Sequence, residues 1–252
     1  MKDISIAIVA FNDENDVCNA VESIERCTPS FLSKEIYIID NSTEDNELCK
    51  LEKRYEDLVY IKSEGNIGFG AGHNLVMPRL DSKYHAIVNP DIILKEDSFS
   101  KLVRFLDETG AGMAIPRMTD EEGNLLKVYR RELTVFDMFI RMFIKKGFNK
   151  RRDYHTMQDM DYSKPFEVPF AQGSFLVIKT ELFKELKGFD DRFFLYMEDA
   201  DLCKRVNEVS SLLYFPDTEV IHKWEKGSHK SKALFKLHVQ SMIKYFVKWG
   251  FR

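Results

Sequence analysis

The sequence predicts an α/β protein built on a doubly wound, mostly parallel sheet. Through residue 110, apolar runs of strand length alternate with segments whose apolar residues follow helical spacing. These runs are nearly continuous, which is typical of parallel strands that are covered on both faces. A length of 252 residues suits one large α/β domain, or one domain with a small appendage.

The first half is predicted to contain four buried strands with helices between them. In chain order, the strands are ISIAIVAF (4–11), EIYIID (35–40), LVYIKSE (58–64) and YHAIVNPDIIL (84–94). The helices are predicted at 12–27, 47–56, 73–80 and 98–110. A glycine-rich loop, 65–72, follows the third strand, Pro78 interrupts the third helix, and Gly110 ends the fourth.

The second half has shorter strands and more aromatic residues. We predict a short strand at 111–118, a hairpin turn at 119–126, an amphipathic aromatic-rich segment at 134–148 and a polar, mobile loop at 150–165. Next come a strand, a helix and a turn at 166–193, a helix with Leu202 and Val206 on one face, and a strand, a turn and a strand at 212–223. Because no repeat or linker divides the chain, we expect one domain, 1–225, followed by a basic amphipathic helix, 226–252.

Charge is distributed unevenly along the chain. The net charge of -4 and the charged fraction of 31% argue against a nucleic-acid-binding protein. Residues 130–153 nevertheless carry eight Lys/Arg against three Asp/Glu, and residues 226–252 carry seven Lys/Arg and no acid. Two basic segments on an acidic body indicate a surface that meets something anionic, such as phospholipid headgroups.

The expected compartment is the cytoplasm. The four cysteines have no CxxC spacing and are expected to be reduced thiols. The N-terminal apolar run ends in acids after about seven residues, unlike a signal peptide. No run approaches the roughly 20 apolar residues of a spanning helix.

Polar residues follow the predicted strands of the first half. Ligands of open α/β sheets bind outside the carboxyl ends of the strands. Asn12 ends the first strand, Asp40 the second, and the loop GNIGFGAGHN (65–74) follows the third. Asn89-Pro90-Asp91 interrupts the fourth. We therefore expect these groups to share one edge of the sheet.

Each of these features has two interpretations. Asp40 either accepts hydrogen bonds from a base or ribose, or caps a helix. The loop follows the wrong strand for a dinucleotide fingerprint, so its glycines, including Gly68, admit a flat ligand or another loop. Asp91, with Asn89, either binds a divalent cation or forms a turn. His222, at the end of an apolar strand, is either structural or a metal ligand.

Three carboxylates follow the aromatic run FFLYM (193–197). Asp201 and Arg205 are four residues apart on the predicted helix and are expected to pair. Glu198 and Asp199 stand at the helix start beside aromatic side chains. An apolar wall raises the pKa of a carboxyl toward the range of a general base, whereas a helix N-terminus lowers it. The sequence leaves this balance open.

Taken in order, six segments resemble the family 2 glycosyltransferases with a GT-A fold. The similarity is closest to the bacterial rhamnosyltransferase-like branch, which builds O-antigen, capsule and other cell-surface polysaccharides. The segments are ISIAIVAFN, IYIIDNSTEDN, GNIGFGAGHN, VNPDIIL, AQGSFLVIKTELFKELKGFDDRFFLYMEDADLCKRV and FPDTEVIHKWEKGSHKS. The C-terminal HVQSMIKYFVKWG also resembles the helix that follows the catalytic half in these enzymes.

The resemblance implies roles for particular residues. Residues 1–110 would be the nucleotide-sugar-binding half, with a Rossmann-like, mostly parallel sheet, and 111–225 the acceptor half, where the sheet is mixed. Asp91 would bind Mg²⁺ or Mn²⁺ at the donor diphosphate, although Asn89 replaces the first Asp of the DxD metal motif. His222 would be a further ligand of the metal or of the diphosphate. Asp199 would be the catalytic base, with Glu198 as the alternative. Asp40 would contact the base, and the further nucleotide-binding residues would be Asn12, Asn41, Gly68 and Asn89.

The implied function is an inverting transfer of L-rhamnose from dTDP-L-rhamnose to a lipid-linked or polysaccharide acceptor. A UDP-hexose or UDP-N-acetylhexosamine donor, and a non-catalytic sugar-nucleotide-binding scaffold, remain alternatives. A nucleotidyltransferase is disfavoured because AFNDENDV lacks a Gly-rich, basic loop. A lipid-linked acceptor implies work at the cytoplasmic face of the plasma membrane. There, 134–148 and 232–252 either lie in the membrane interface or pack on the domain with solvated lysines.

Overall fold

A computed structural model describes residues 1–144, 146–223 and 232–251. The strands are β1 (Lys2–Ala10), β2 (Lys34–Asp40), β3 (Leu58–Lys62), β4 (Ser82–Val88), β5 (Ile92–Leu94), β6 (Met113–Thr119), β7 (Tyr129–Arg130), β8 (Phe166–Glu167), β9 (Phe170–Ala171), β10 (Phe175–Lys179) and β11 (Leu212–His222). The helices are α1 (Glu14–Cys27), α2 (Leu51–Arg54), α3 (Phe69–Asn74), α4 (Ser98–Thr109), α5 (Val135–Phe143), α6 (Asn149–His155), α7 (Thr180–Glu185), α8 (Glu198–Val209) and α9 (Lys232–Trp249).

One mixed sheet organises the described part of the chain. Its strand order is β3-β2-β1-β4-β10-β6-β11-β5, and β8 also pairs with β11. The first four strands of this order run parallel, as predicted for the N-terminal half. β10 is antiparallel to both β4 and β6, and β11 is parallel to β6. The prediction of an α/β fold with a mostly parallel first half and a mixed second half is confirmed.

The apolar runs form the core of the sheet. Ile6 and Ile8 of β1 and Ile36 and Ile38 of β2 have no exposed surface. Helix α1 packs on this layer through one face, on which Val17, Ala20, Val21 and Ile24 are buried. At the end of α4, Gly110 has a φ of 74°, a left-handed conformation that suits glycine.

Several predicted elements differ from the structure. The segment 65–72 is not wholly a loop, because α3 begins at Phe69, and a 3₁₀ turn at Met77–Arg79 accommodates Pro78. Residues 150–165 are not a mobile loop throughout, since α6 begins the segment and Arg151 anchors it to Asp137 of α5 at 2.7 Å. The predicted helix at 47–56 is a 3₁₀ turn followed by the single turn α2.

The prediction of strand, turn and strand at 212–223 is wrong. β11 is one strand of 11 residues with an irregularity between Phe215 and Glu219. The three residues between them, Pro216, Asp217 and Thr218, therefore form a bulge, which bends a strand without ending it. The predicted boundary at residue 225 and the start of the C-terminal segment lie outside the described residues.

The described part of α9 lies against the loop that precedes α8. Ser241 donates to the carbonyl of Leu195 at 2.8 Å, and Lys244 donates to the carbonyl of Arg192 at 2.6 Å. Trp249 donates to Asp201 at 2.8 Å. Among the helices that the structure describes, none is long and apolar enough to cross a bilayer. Helix α9 thus supports the loop between residues 190 and 198.

Candidate active site

A cavity of about 270 Å³ lies between the sheet and the start of α8. It brings together five of the predicted site residues from distant parts of the chain: Asn89, Asp91, Glu198, Asp199 and His222. Their predicted roles stay predictions, but their proximity shows that the polar strand ends and the acidic helix start face the same space.

Asp91 and His222 meet because β5 leaves the parallel layer. β5 pairs antiparallel with the end of β11, in a register that places Ile92 opposite His222. The Asp91 carboxylate Oδ2 lies 3.1 Å from His222 Nε2. The side-chain oxygens Asp91 Oδ1 and Asn89 Oδ1 are buried and have no hydrogen-bond partner among the described residues. Two buried oxygens beside an imidazole nitrogen fit a hard divalent cation whose remaining ligands come from water or phosphate.

These side chains alone do not form a complete metal cage. Among the residues the structure describes, no group of three or more His, Cys, Asp and Glu side chains could hold a metal ion. An ion here would therefore need oxygen ligands from a substrate, which is how Mg²⁺ is usually bound beside phosphates.

Glu198 and Asp199 begin α8 but differ in their surroundings. Glu198 is 5% exposed, and its Oε2 has no hydrogen-bond partner among the described residues. Burial, and then the charge of Asp199, raise the pKa of Glu198 well above its usual value. Burial also raises the pKa of Asp199, but amide hydrogen bonds from Gly173 and Ala200 oppose this shift. Asp199 is therefore the better candidate for an ionised base, and Glu198 for a protonated carboxyl.

Asp199 is held in place by backbone groups. Its Oδ2 accepts from the amide of Gly173 at 3.0 Å, and its Oδ1 accepts from the amide of Ala200 at 2.8 Å. A side chain at position 173 would place its Cβ 2.9 Å from the Cβ of Asp199. This contact explains why glycine occupies the position that faces the carboxylate.

The other predicted nucleotide-binding residues, Asn12, Asp40, Asn41 and Gly68, are not in the lining of this cavity. Asp40 is fully buried and accepts from the amide of Ser42, the amide of Asn46, the hydroxyl of Tyr60 and the amine of Lys62. Burial alone would raise the pKa of Asp40, but these hydrogen bonds lower it below the usual range. The predicted contact of Asp40 with a base stays a prediction.

Asn12, Asn41 and Gly68 organise the loops around Asp40. Asn12 Oδ1 accepts from the amide of Thr43 at 3.1 Å, and Asn41 Nδ2 donates to the carbonyl of Gly68 at 3.0 Å. Gly68 has a φ of 95°, and a Cβ there would lie 2.3 Å from the carbonyl oxygen of Phe194. Of the two interpretations of this loop, the structure thus shows close approach to another loop.

Two arginines in the cavity were not singled out from the sequence. Arg130 and Arg141 both line it, together with His238 of α9 and Tyr196 of the aromatic run. The only signal in the sequence was the excess of Lys and Arg at 130–153, which does not tell which cations turn inward. The placement of Arg130 depends on the pairing of β7 with β9, which is non-local.

The fold and the cavity define the class of protein: a GT-A glycosyltransferase. The family model described as "Glycosyl transferase family 2" matches residues 5–187. The chain therefore belongs to glycosyl transferase family 2, and the predicted resemblance is confirmed.

Curated relatives include two rhamnosyltransferases. Rhamnosyltransferase WbbL of Escherichia coli K12 is 28% identical over 257 residues, which cover 97% of this chain and 93% of WbbL. The N-acetylglucosaminyl-diphospho-decaprenol L-rhamnosyltransferase of Mycobacterium tuberculosis is 24% identical over 202 residues, covering 74% of this chain and 66% of that protein. A relative with a different substrate, the poly(ribitol-phosphate) β-N-acetylglucosaminyltransferase TarP of Staphylococcus aureus, is 23% identical over 88% of this chain and 72% of TarP.

Solved structures share the fold at low sequence identity. The structure of GalNAc-T7 with UDP, GalNAc and Mn²⁺ matches with a TM-score of 0.70 at 16% identity, covering 98% of this chain. This chain spans only 48% of that protein. The mannosyltransferase PcManGT of Pyrobaculum calidifontis, in complex with GDP-Man and Mn²⁺, matches with a TM-score of 0.69 at 14% identity, covering 99% of this chain and 66% of PcManGT.

Proposed function

We propose that this chain transfers L-rhamnose from dTDP-L-rhamnose to a lipid-linked sugar acceptor, with inversion, during synthesis of a bacterial cell-surface glycan. The observation that carries the proposal is that one cavity contains both the Asp91–His222 pair and Asp199. One end of such a cavity suits a leaving diphosphate, and the other suits a hydroxyl that must lose a proton. The two rhamnosyltransferase relatives support the choice of donor.

Asp91 and His222 would hold Mg²⁺ or Mn²⁺ against the donor diphosphate, with Asn89 beside them. The ion would neutralise charge on the leaving nucleoside diphosphate. The Mn²⁺ bound in the structures of GalNAc-T7 and PcManGT supports this assignment. Asp40, with Asn12, Asn41 and Gly68, would shape the place for the nucleoside at the adjoining strand ends.

Asp199 would take the proton from the acceptor hydroxyl as that oxygen attacks the anomeric carbon. Its two amide hydrogen bonds fix the carboxylate, so that the base meets the acceptor without reorganisation. Attack from the face opposite the leaving group inverts the configuration of the sugar. Glu198 is the alternative base, but its raised pKa leaves it protonated over more of the pH range.

Thermal shift of the purified protein tests the donor assignment first. We expect dTDP with Mn²⁺ to raise the melting temperature, and dTDP with EDTA to raise it less, because a ligand that binds the folded state stabilises it. UDP, GDP and CMP are the comparison nucleotides. A shift with UDP but none with dTDP would replace rhamnose by a UDP-sugar. A shift with dTDP but no release of dTDP from dTDP-L-rhamnose, with any lipid-diphosphate sugar supplied, would favour the scaffold alternative.

We further propose that α5 contacts an anionic membrane surface. Phe136, Phe139 and Phe143 repeat along one side of α5 and are 47%, 50% and 58% exposed. The ring of Phe235 from α9 lies 6.3 Å from that of Phe143, which extends the aromatic surface. Exposed Lys146 follows the helix. Aromatic side chains beside lysines suit the headgroup region of an anionic bilayer.

Sedimentation with vesicles tests this contact. Wild type should bind vesicles containing phosphatidylglycerol more than vesicles of phosphatidylcholine. The double variant F139S/F143S should lose most of this binding. Phe31→Ser is the matched control, because Phe31 is an exposed phenylalanine (76%) that does not belong to α5. It lies just before the start of β2. Equal losses in the control and the double variant would contradict the assignment of α5.

A further inference from the structure

Arg130 is a buried cation in the lining of the cavity. It is 6% exposed and forms no ion pair with any described residue, and its guanidinium lies 5.6 Å from the centre of the Phe170 ring. Burial, and then the charge of Arg141, lower its pKa to about 9. A buried charge that lacks a partner destabilises the folded state. Such a group is typical of a binding site that an anionic ligand completes.

Arg141 brings a second positive charge to the same cavity. It lies on α5, is exposed, and like Arg130 forms no ion pair with any residue that the structure describes. The charge of Asp199 raises the pKa of both arginines, against the larger lowering effect of burial. The oxygens of Asp199 accept the amides of Gly173 and Ala200, and neither guanidinium donates to Asp199 among the described residues. Both guanidinium groups therefore keep donors for another anion.

The positions of the arginines favour the acceptor over the donor. Asp91 immediately precedes β5 and His222 ends β11, at the side proposed for the donor diphosphate. Arg130 and Arg141 come from β7 and α5, in the second half of the chain. Helix α5 directs Met138 and Arg141 into the cavity and Phe139 and Phe143 toward solvent. One helix thus joins the proposed membrane surface to the cavity.

We propose that Arg130 and Arg141 bind the diphosphate of the lipid-linked acceptor. This inference rests on the proposed function, because it assumes that the acceptor carries a diphosphate. Guanidinium groups match phosphate oxygens with paired hydrogen bonds, and two of them balance the charge of a diphosphate. Anchored this way, the lipid would leave the cavity along α5 while the acceptor sugar reaches Asp199.

The experiment measures binding of farnesyl diphosphate to the full chain by calorimetry. EDTA is present, because the donor side is proposed to need a metal and the arginines are not. The variants are Arg130→Gln and Arg141→Gln. Arg131→Gln is the matched control, since Arg131 is the next residue and pairs with Asp159 at 2.8 Å outside the cavity. A second series measures dTDP with Mn²⁺ on the same four proteins.

We expect farnesyl diphosphate to bind about tenfold to a hundredfold more weakly to R130Q and R141Q than to wild type and R131Q, with dTDP binding unchanged. R130Q should also keep or raise the melting temperature of the free protein, because it removes an unpaired buried charge; a structural role for Arg130 would lower it. If the variants lost dTDP binding but bound farnesyl diphosphate as wild type does, the arginines would belong to the donor site and the proposal would be overturned. Equal affinity of all four proteins for farnesyl diphosphate would also overturn it.

The two proposals fail in different ways. If wild type binds no nucleotide but binds farnesyl diphosphate through the arginines, the proposed donor chemistry fails and the phosphate site stands. If wild type binds dTDP with Mn²⁺ but no farnesyl diphosphate, the proposed function stands and the phosphate site is overturned.

Discussion

The amide of Gly173 donates to the carboxylate of Asp199 at 3.0 Å, and the missing side chain of Gly173 is what allows this approach. Residue 173 lies between β9 and β10, whereas Asp199 begins α8. The candidate base is therefore positioned by a segment remote in sequence. Substitution of Gly173 offers a test of this geometry that removes no titratable group.

Gly173→Ala should reduce sugar transfer about a hundredfold while nucleotide binding is retained. The added Cβ would lie 2.9 Å from the Cβ of Asp199, so the carboxylate must move, and displacements of about 1 Å have effects of this size. Steady-state transfer rates and the thermal shift with dTDP and Mn²⁺ check the two halves of this prediction. Full activity of the variant would show that the position of Asp199 does not limit the reaction.

Asp199→Asn should lower the transfer rate about 10²-fold to 10⁴-fold, as expected when a general base is lost. Glu198→Gln should lower it much less, because Glu198 is proposed to be protonated already. In wild type, activity should fall as the pH is lowered through the raised pKa of Asp199, since the base must be ionised. The reverse ranking of the two variants would make Glu198 the base.

The carboxyl of Glu198 also affects the stability of the fold, and its contribution decreases as the pH rises. The folded state raises the pKa of Glu198, so its stabilising contribution is full below the unfolded pKa and is lost as the pH rises through the folded pKa. Glu198→Gln should therefore lose less free energy of unfolding than wild type as the pH rises above about 5. Urea unfolding at several pH values measures this difference. If the free energy of unfolding changed with pH by the same slope in both proteins, Glu198 would not be buried and protonated in the folded state.

Asp91→Asn and His222→Gln should each abolish most of the extra thermal shift that Mn²⁺ adds to dTDP. Both side chains are proposed to contact the ion, and they lie 3.1 Å apart. Asp217→Asn is the control, because Asp217 is exposed on the same strand as His222. If both variants retained the full effect of Mn²⁺ on the melting temperature, Asp91 and His222 would not be ligands of the ion.

Buried histidines should make the fold sensitive to acid. Burial lowers the pKa of His85 to about 3. Between this pH and the unfolded pKa, the unfolded chain binds a proton at His85 and the folded chain does not. Stability from this group is present above the unfolded pKa of about 6.5 and is lost as the pH falls below it. His85→Leu should reduce the slope of unfolding free energy by about 1.4 kcal/mol per pH unit in this range. Unfolding curves between about pH 4 and 7 test this.

Asp201→Ala should lower the free energy of unfolding by about 3 kcal/mol, as expected when a buried ion pair loses one partner. Asp201 is fully buried and accepts from Arg205 at 2.8 Å and from Trp249 of α9 at 2.8 Å. Asp161→Ala, in an exposed pair with Lys164, should leave stability unchanged. Unfolding in urea measures the free energy of unfolding of both variants. Equal losses in Asp201→Ala and Asp161→Ala would show that Asp201 does not hold α9 on the domain.

The sequence by itself determined the layout of the first half and the residue types of the site. Continuous apolar runs and polar strand ends are local signals, so β1, β2 and β4, together with Asp40 and Asp91, could be found without coordinates. The pairing of Asp201 with Arg205 was likewise predicted, because four residues on a helix fix a distance.

Only the tertiary structure decided which distant groups meet. Asp91 reaches His222 through the antiparallel pairing of β5 with β11, and Gly173 reaches Asp199 through a loop contact. Arg130 enters the cavity because two-residue strands pair across 40 positions, from Tyr129–Arg130 to Phe170–Ala171. Such pairings leave no periodic signal in the sequence, because their register is set by packing against the rest of the fold.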